Sequence, residues 1–156
     1  MKEISSKEIK MGQTVRTSKQ ITQIDLTLYA AITRDFNPVH FDPVNSAKTP
    51  FKGPIAHGMI AAGLVSGLIG MKLPRPGTIY LKQTLNFLAP VKVGDVITAC
   101  VEVIALLKRN RVRLKATCEN QDGVMVLEEE AFGIAPKRVL DIKASRTEDK
   151  ISESHL

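Results

Sequence analysis

The spacing of apolar and polar positions changes twice along this chain and divides it into three parts. Gln13 to Gln20 reads as a strand, with Val15 among β-branched threonines. Thr22 then has the character of a helix N-cap, with Asp25 three residues on as the acidic half of a capping box. Ile21 and Leu26 stand where a hydrophobic staple falls. The helix predicted over residues 23–34 places Ile24, Leu28, Ala31 and Ile32 at helical spacing, as its buried stripe. Pro38 forces its predecessor out of the α region, so this helix ends before Asn37.

From Phe36 to Gly53 there are three prolines, two asparagines and one glycine, which predicts a long structured loop. Pro54 stands near the start of a second helix, about His57 to Met71. This helix is apolar on every face, the mark of a central, enclosed element. After Pro76-Gly77 the period becomes two. Strands are predicted over 78–88, 96–107, 111–119 and 124–134, and Pro136 ends the last. Gly94-Asp95, the short Lys108–Asn110 turn and Asp122-Gly123 connect them, so consecutive strands pair antiparallel. The expected class is α+β, an antiparallel sheet wrapped around one apolar helix. Its edges need covering, which points to a homodimer. Residues 1–136 form the expected single domain, and 137–156 a charged tail expected to be disordered or loosely docked.

Composition narrows the function. The chain has 156 residues, 44% hydrophobic and 24% charged, as expected of a soluble globular protein. The run from Ile55 to Met71 is shorter than a membrane span and carries four glycines and His57. Charges at Lys2, Glu3, Lys7 and Glu8 interrupt the place of a signal core. The two cysteines, Cys100 and Cys118, lack ligand spacing and read as thiols in a reducing, cytoplasmic setting. The net charge of +6 is scattered, and with no Trp and five Phe plus two Tyr there is no basic–aromatic patch for nucleic acid.

The candidate chemistry lies between the two helices. Asp35 closes the first helix, where the dipole disfavours a carboxylate, so an acid here points to a task beyond structure. A plain Asx turn before Pro38 is the competing account. His40, five residues on, can fold back beside it, and imidazole suits proton transfer near neutral pH. Asn37 is a turn former and amide donor, and Phe41 a packing anchor. His57-Gly58-Met59 opens the apolar helix, where the Gly58 amide is available to a carbonyl oxygen. Ser66, inside that helix, either bonds its own backbone or braces the pair. His57 reads as a cap or core histidine. No metal site is expected from three histidines and two cysteines without ligand spacing.

Taken together, Tyr29-Ala30-Ala31-Ile32-Thr33-Arg34-Asp35-Phe36-Asn37-Pro38-Val39-His40-Phe41-Asp42-Pro43 and Gly53-Pro54-Ile55-Ala56-His57-Gly58-Met59 closely resemble the hydratase-2 motif of the MaoC-like (R)-specific enoyl-CoA hydratases. The likeness continues through Ser66 to Gly70 and Gly94-Asp95, covering about residues 10 to 136. The resemblance implies the hot-dog fold, usually dimeric. It implies that Asp35 and His40 hold one water, add its hydroxyl to C3 of a trans-2-enoyl-CoA and deliver its proton to C2. In this scheme Asp35 activates the water, the Gly58 amide binds the thioester oxygen and Ser66 supports the pair, with no metal or redox cofactor. Residue 34 is Arg where many relatives have Gly, which places a cation beside Asp35 that can reach a CoA phosphate, with Lys72 and Arg75 as further contacts. Ile69, Phe132 and Ile134 are assigned to the acyl pocket, and their bulk points to short acyl groups. Three alternatives stay open: 3-hydroxyacyl-[acyl-carrier-protein] dehydratase, hot-dog thioesterase and non-catalytic acyl-binding subunit. The basic surface would suit an acidic carrier protein as a partner.

Overall fold

A computed structural model describes residues 8–137. The elements run β1 (Thr14–Gln20), α1 (Gln23–Thr33), α2 (Pro38–Phe41), α3 (Pro43–Ser46), α4 (Gly58–Met71), β2 (Ile79–Phe87), β3 (Val96–Leu106), β4 (Arg111–Glu119) and β5 (Met125–Ile134). The tail expected from residue 137 lies outside the described residues except for Lys137.

The five strands form one sheet in the order β1-β3-β4-β5-β2, with every neighbouring pair antiparallel. The predicted turns hold for physical reasons. Arg109 and Asn110 both adopt positive φ, 62° and 57°, which suits the tight β3–β4 hairpin, and Gly123 at φ 73° closes β4–β5. Period-two alternation sends Ile97, Ala99, Val101 and Val103 of β3, with Val112, Leu114, Ala116 and Cys118 of β4, into the core. Against them lies the inner face of α4, with Ala61, Ala62, Val65, Leu68 and Ile69 buried. A helix wrapped by an antiparallel sheet is the hot-dog arrangement.

Three expectations are corrected. The 36–53 segment is not all loop: Asn37 and Asp42 cap two single-turn helices, each begun by a proline at its first or second position. α4 is enclosed on one side only, since Gly63, Ser66 and Gly67 are exposed and Met59 and Met71 are 39% and 48% exposed. Helix α1 turns a different face inward from the one its apolar spacing predicts. Leu26 and Ala30 are buried, whereas Ile24, Leu28 and Ile32 are 60%, 58% and 84% exposed and Ala31 is exposed too. The start of the helix decides this rotation. Thr22 and Asp25 form the predicted capping box, at 2.8 Å from the Thr22 N–H to the Asp25 carboxylate and 3.3 Å in return. Next to that box, Ile21 and Leu26 are fully buried, which anchors the helix by its staple rather than its wider apolar stripe.

Among the buried residues of the sheet, one is polar. Glu129 on β5 pairs with Leu85 of β2 and Ala116 of β4 and faces inward, 3% exposed. Neither carboxylate oxygen has a hydrogen-bond partner among the described residues, and burial pushes the carboxyl up to about 7.

Candidate active site

The pocket forms where the end of α1, α2, the start of α4 and the end of β2 meet. Arg34 ends α1 in the left-handed conformation, φ 63°, its N–H donating to Ala30 O at 2.7 Å. This is the backbone geometry that glycine usually supplies after a helix. The reversal swings Asp35 off the helix axis. Its Oδ1 accepts from the Asn37 N–H at 3.2 Å, which directs Oδ2 towards two imidazoles. Oδ2 lies 3.9 Å from His40 Nε2 and 3.8 Å from His57 Nε2.

His40 is held by the segment before α4. Its Nδ1 donates to the Ile55 carbonyl at 2.7 Å, so in the neutral ring the bare nitrogen is Nε2, on the Asp35 side. His57 Nε2 donates to the Asp35 carbonyl at 3.0 Å. The two rings stack at 3.7 Å between centroids, and the Tyr29 ring lies 4.7 Å from His57, tilted by 45°. Asn37 caps α2 through its side-chain oxygen, which accepts from the Val39 N–H at 3.1 Å, so it shapes the turn.

Asp35, His40, His57 and Gly58 share a cavity of about 420 Å³. Its other walls are mainly apolar, with Tyr29, Phe51, Met59, Phe87, Leu88 and Val126 prominent. Gly58 supplies the first amide of α4, which has no acceptor within the helix. The Phe87 ring covers its α-carbon so closely that a Cβ there would come within 2.8 Å of two ring carbons.

Other expected site residues lie elsewhere in the chain. Ser66 is exposed on α4 and bonds neither Asp35 nor His40, so within one chain it braces neither. Ile69, 1% exposed, is packed into the core under the sheet instead of lining the cavity. Phe132 and Ile134 fall on the β5 face opposite the buried Ala131 and Gly133, because side chains alternate along a strand. Phe132 has the Lys82 and Arg113 cations at 6.0 and 5.9 Å from its ring centre. Lys72 follows the last residue of α4, about 21 Å from Gly58 at ~1.5 Å per residue over 14 residues. Arg75 lines a separate cavity of about 250 Å³ with Arg111 and Lys137. Arg34 alone of the three expected phosphate contacts sits beside the pair, and it is exposed.

His57, by its sequence context a cap or core histidine, lines the cavity as well. Its signal was that it takes the N-cap of an apolar helix, a place that favours small polar residues. Asp35, His40 and His57 each bring one ligand atom to within 4.8 Å of the others, a spacing that could hold a metal ion. His57 Nε2 carries a hydrogen towards the Asp35 carbonyl, so the nitrogen it could offer as a ligand is the bare Nδ1.

Comparisons with known proteins point the same way. The family model described as MaoC like domain matches residues 5–124. A 3-hydroxybutyryl-CoA dehydratase of Methylorubrum extorquens is 44% identical over 132 residues, covering 84% of this chain and 83% of the relative. An (R)-specific enoyl-CoA hydratase of Aeromonas caviae is 48% identical over 103 residues, 66% of this chain and 77% of the relative. The solved R-hydratase PhaJ1 from Pseudomonas aeruginosa superposes with a TM-score of 0.80 at 44% identity, covering 85% of this chain and 86% of that one. With the family model spanning well over half of its length, the chain belongs to the MaoC-like dehydratase family.

Proposed function

We propose that this chain is an (R)-specific enoyl-CoA hydratase, adding water reversibly and syn to a short trans-2-enoyl-CoA to give the (R)-3-hydroxyacyl-CoA. One observation carries the reading: Asp35 Oδ2 and His40 Nε2 stand 3.9 Å apart at the wall of an apolar pocket, beside the unbonded amide of Gly58. Nδ1 of His40 is already committed to Ile55, so Nε2 and the carboxylate are both acceptors, suited to the two hydrogens of one water. As the water oxygen bonds C3, the pair takes one proton and the C2–C3 π electrons move towards the thioester oxygen. The Gly58 N–H stabilises that enolate-like charge, a contribution of about 2.7–4 kcal/mol for one such donor. The proton then returns to C2 on the same face. One O–H bond and the C2–C3 π bond are broken, one C–O and one C–H bond form, and the pair ends as it began. The substrate carries its own CoA, so the chemistry calls for no further cofactor.

The dehydratase named for a four-carbon substrate among the relatives supports short acyl chains. The unbridged Cys100 and Cys118 support a reducing, cytoplasmic compartment. The exposed face of α4 and the edge strand β2 support a homodimer. The test is loss of enoyl-thioester absorbance on crotonyl-CoA, with chiral analysis of the product. Asp35→Asn and His40→Gln should each lower kcat by about 10²–10⁴-fold with the fold retained. Full activity in either variant sinks the mechanism. A large preference for crotonyl carrier protein over crotonyl-CoA would replace the CoA reading with the carrier-protein dehydratase, and release of free thiol would indicate a thioesterase.

A further inference from the structure

His57 occupies a place where its side chain is costly. It is the N-cap of the 14-residue helix α4, yet makes no side-chain capping bond. It is 3% exposed, and its Nδ1 has no partner among the described residues. A cap and a satisfied nitrogen are both given up, and a buried nitrogen without a partner is destabilising. The side chain serves another purpose: its Nε2–H donates to the Asp35 carbonyl at 3.0 Å, and its ring lies flat on His40 at 3.7 Å with 29° between planes.

Asp35 needs that anchor. It lies outside any helix or strand, and its side chain is 46% exposed. Its own N–H and Oδ1 bond only residues two positions away, Thr33 and Asn37. Among the described residues the bond from His57, 22 positions on, is the only one that ties Asp35 to a distant part of the chain. His40 is tied to the same short segment by Ile55, whose carbonyl accepts from Nδ1 and whose N–H donates to Val39 O at 3.2 Å. The segment is in turn pinned by the Ala56 N–H to Val91 O at 2.7 Å.

We infer that His57 is a positioning residue, which fixes the Asp35 backbone through Nε2–H and the plane of His40 by stacking, and so sets the 3.9 Å gap that receives the water. The inference rests on the hydratase reading for its kinetic consequence, but its geometry can be tested without activity. In the wild-type protein, imidazole 15N–1H correlation should show the neutral His57 ring protonated on Nε2 and bare on Nδ1. Protonation on Nδ1 overturns the inference, because no donor then faces Asp35. In steady-state hydration of crotonyl-CoA, His57→Phe keeps an aromatic ring but loses the donor. It should lower kcat about 10²-fold while KM moves less than about three-fold. His57→Gln restores an amide donor and should recover most of that loss, which a merely structural role would not do. Wild-type kcat in His57→Phe, or a His57→Gln variant that folds and is as slow as His57→Phe, overturns it. A wild-type chain that hydrates no enoyl thioester sinks the hydratase reading instead, and the tautomer still decides whether His57 anchors Asp35.

Discussion

At the scale of single residues, reach and room decide the roles. Gly58 has ordinary backbone angles for a helix start, so alanine there keeps both the helix and the amide. What alanine adds is a Cβ within 2.8 Å of the Phe87 ring. Gly58→Ala should therefore lower hydratase activity by displacing Phe87 into the pocket, by about 10-fold or more. Phe87→Ala in the same chain should return part of the loss. A double variant no better than Gly58→Ala would show that the ring is not the obstacle. That Asp35, His40 and Gly58 share one cavity was legible in the sequence because a carboxylate, an imidazole and a helix-opening glycine at short separations have few uses together. His57 was not, because its contacts run 22 residues back along the chain to a carbonyl, and no residue type marks an acceptor carbonyl. Ile69, Phe132 and Ile134 lie away from this cavity for a related reason: alternation along β5 and the packing of α4 against the sheet decide which way they face, not their size.

At the scale of elements, the period-two pattern located all four later strands to within two residues, because each must fill one face and leave the other. The first helix was found but rotated. Its apolar residues occupy two stripes, and which stripe turns inward depends on a staple and cap at one end. The unburied stripe, the bare side of α4 and the edge strand β2 leave much apolar surface on one chain; Ile79, Leu81 and Phe87 are 60%, 47% and 53% exposed. Single chains rarely keep so much uncovered. Sedimentation velocity should give twice the 17.1 kDa chain mass, and Leu81→Lys should shift the protein towards the single chain. A wild-type mass of one chain would end the dimer proposal.

At the scale of the whole molecule, the carboxyl of Glu129 links folding to pH. Burial pushes it up to about 7 from an ordinary 4.5. Between those values the folded chain holds a proton that the unfolded chain has lost, so stability falls as pH rises and levels off above about 7. The total change is about 3 kcal/mol. Urea midpoints at pH 5 and pH 8 should drop more for the wild type than for Glu129→Gln, and equal drops would exclude Glu129 as the source. The sheet order has a different consequence, one of timing. β2 precedes β3 in the chain but pairs with β5, the last strand. Phe87 ends β2 and Val126 lies in β5, so the two strands close the pocket between them. A chain still leaving the ribosome, complete through β4, already carries Asp35, His40 and His57 but has no far wall to hold a substrate against them. Until β5 emerges, β2 waits as an apolar strand with no neighbour, the stage at which a growing chain is most exposed to misassembly.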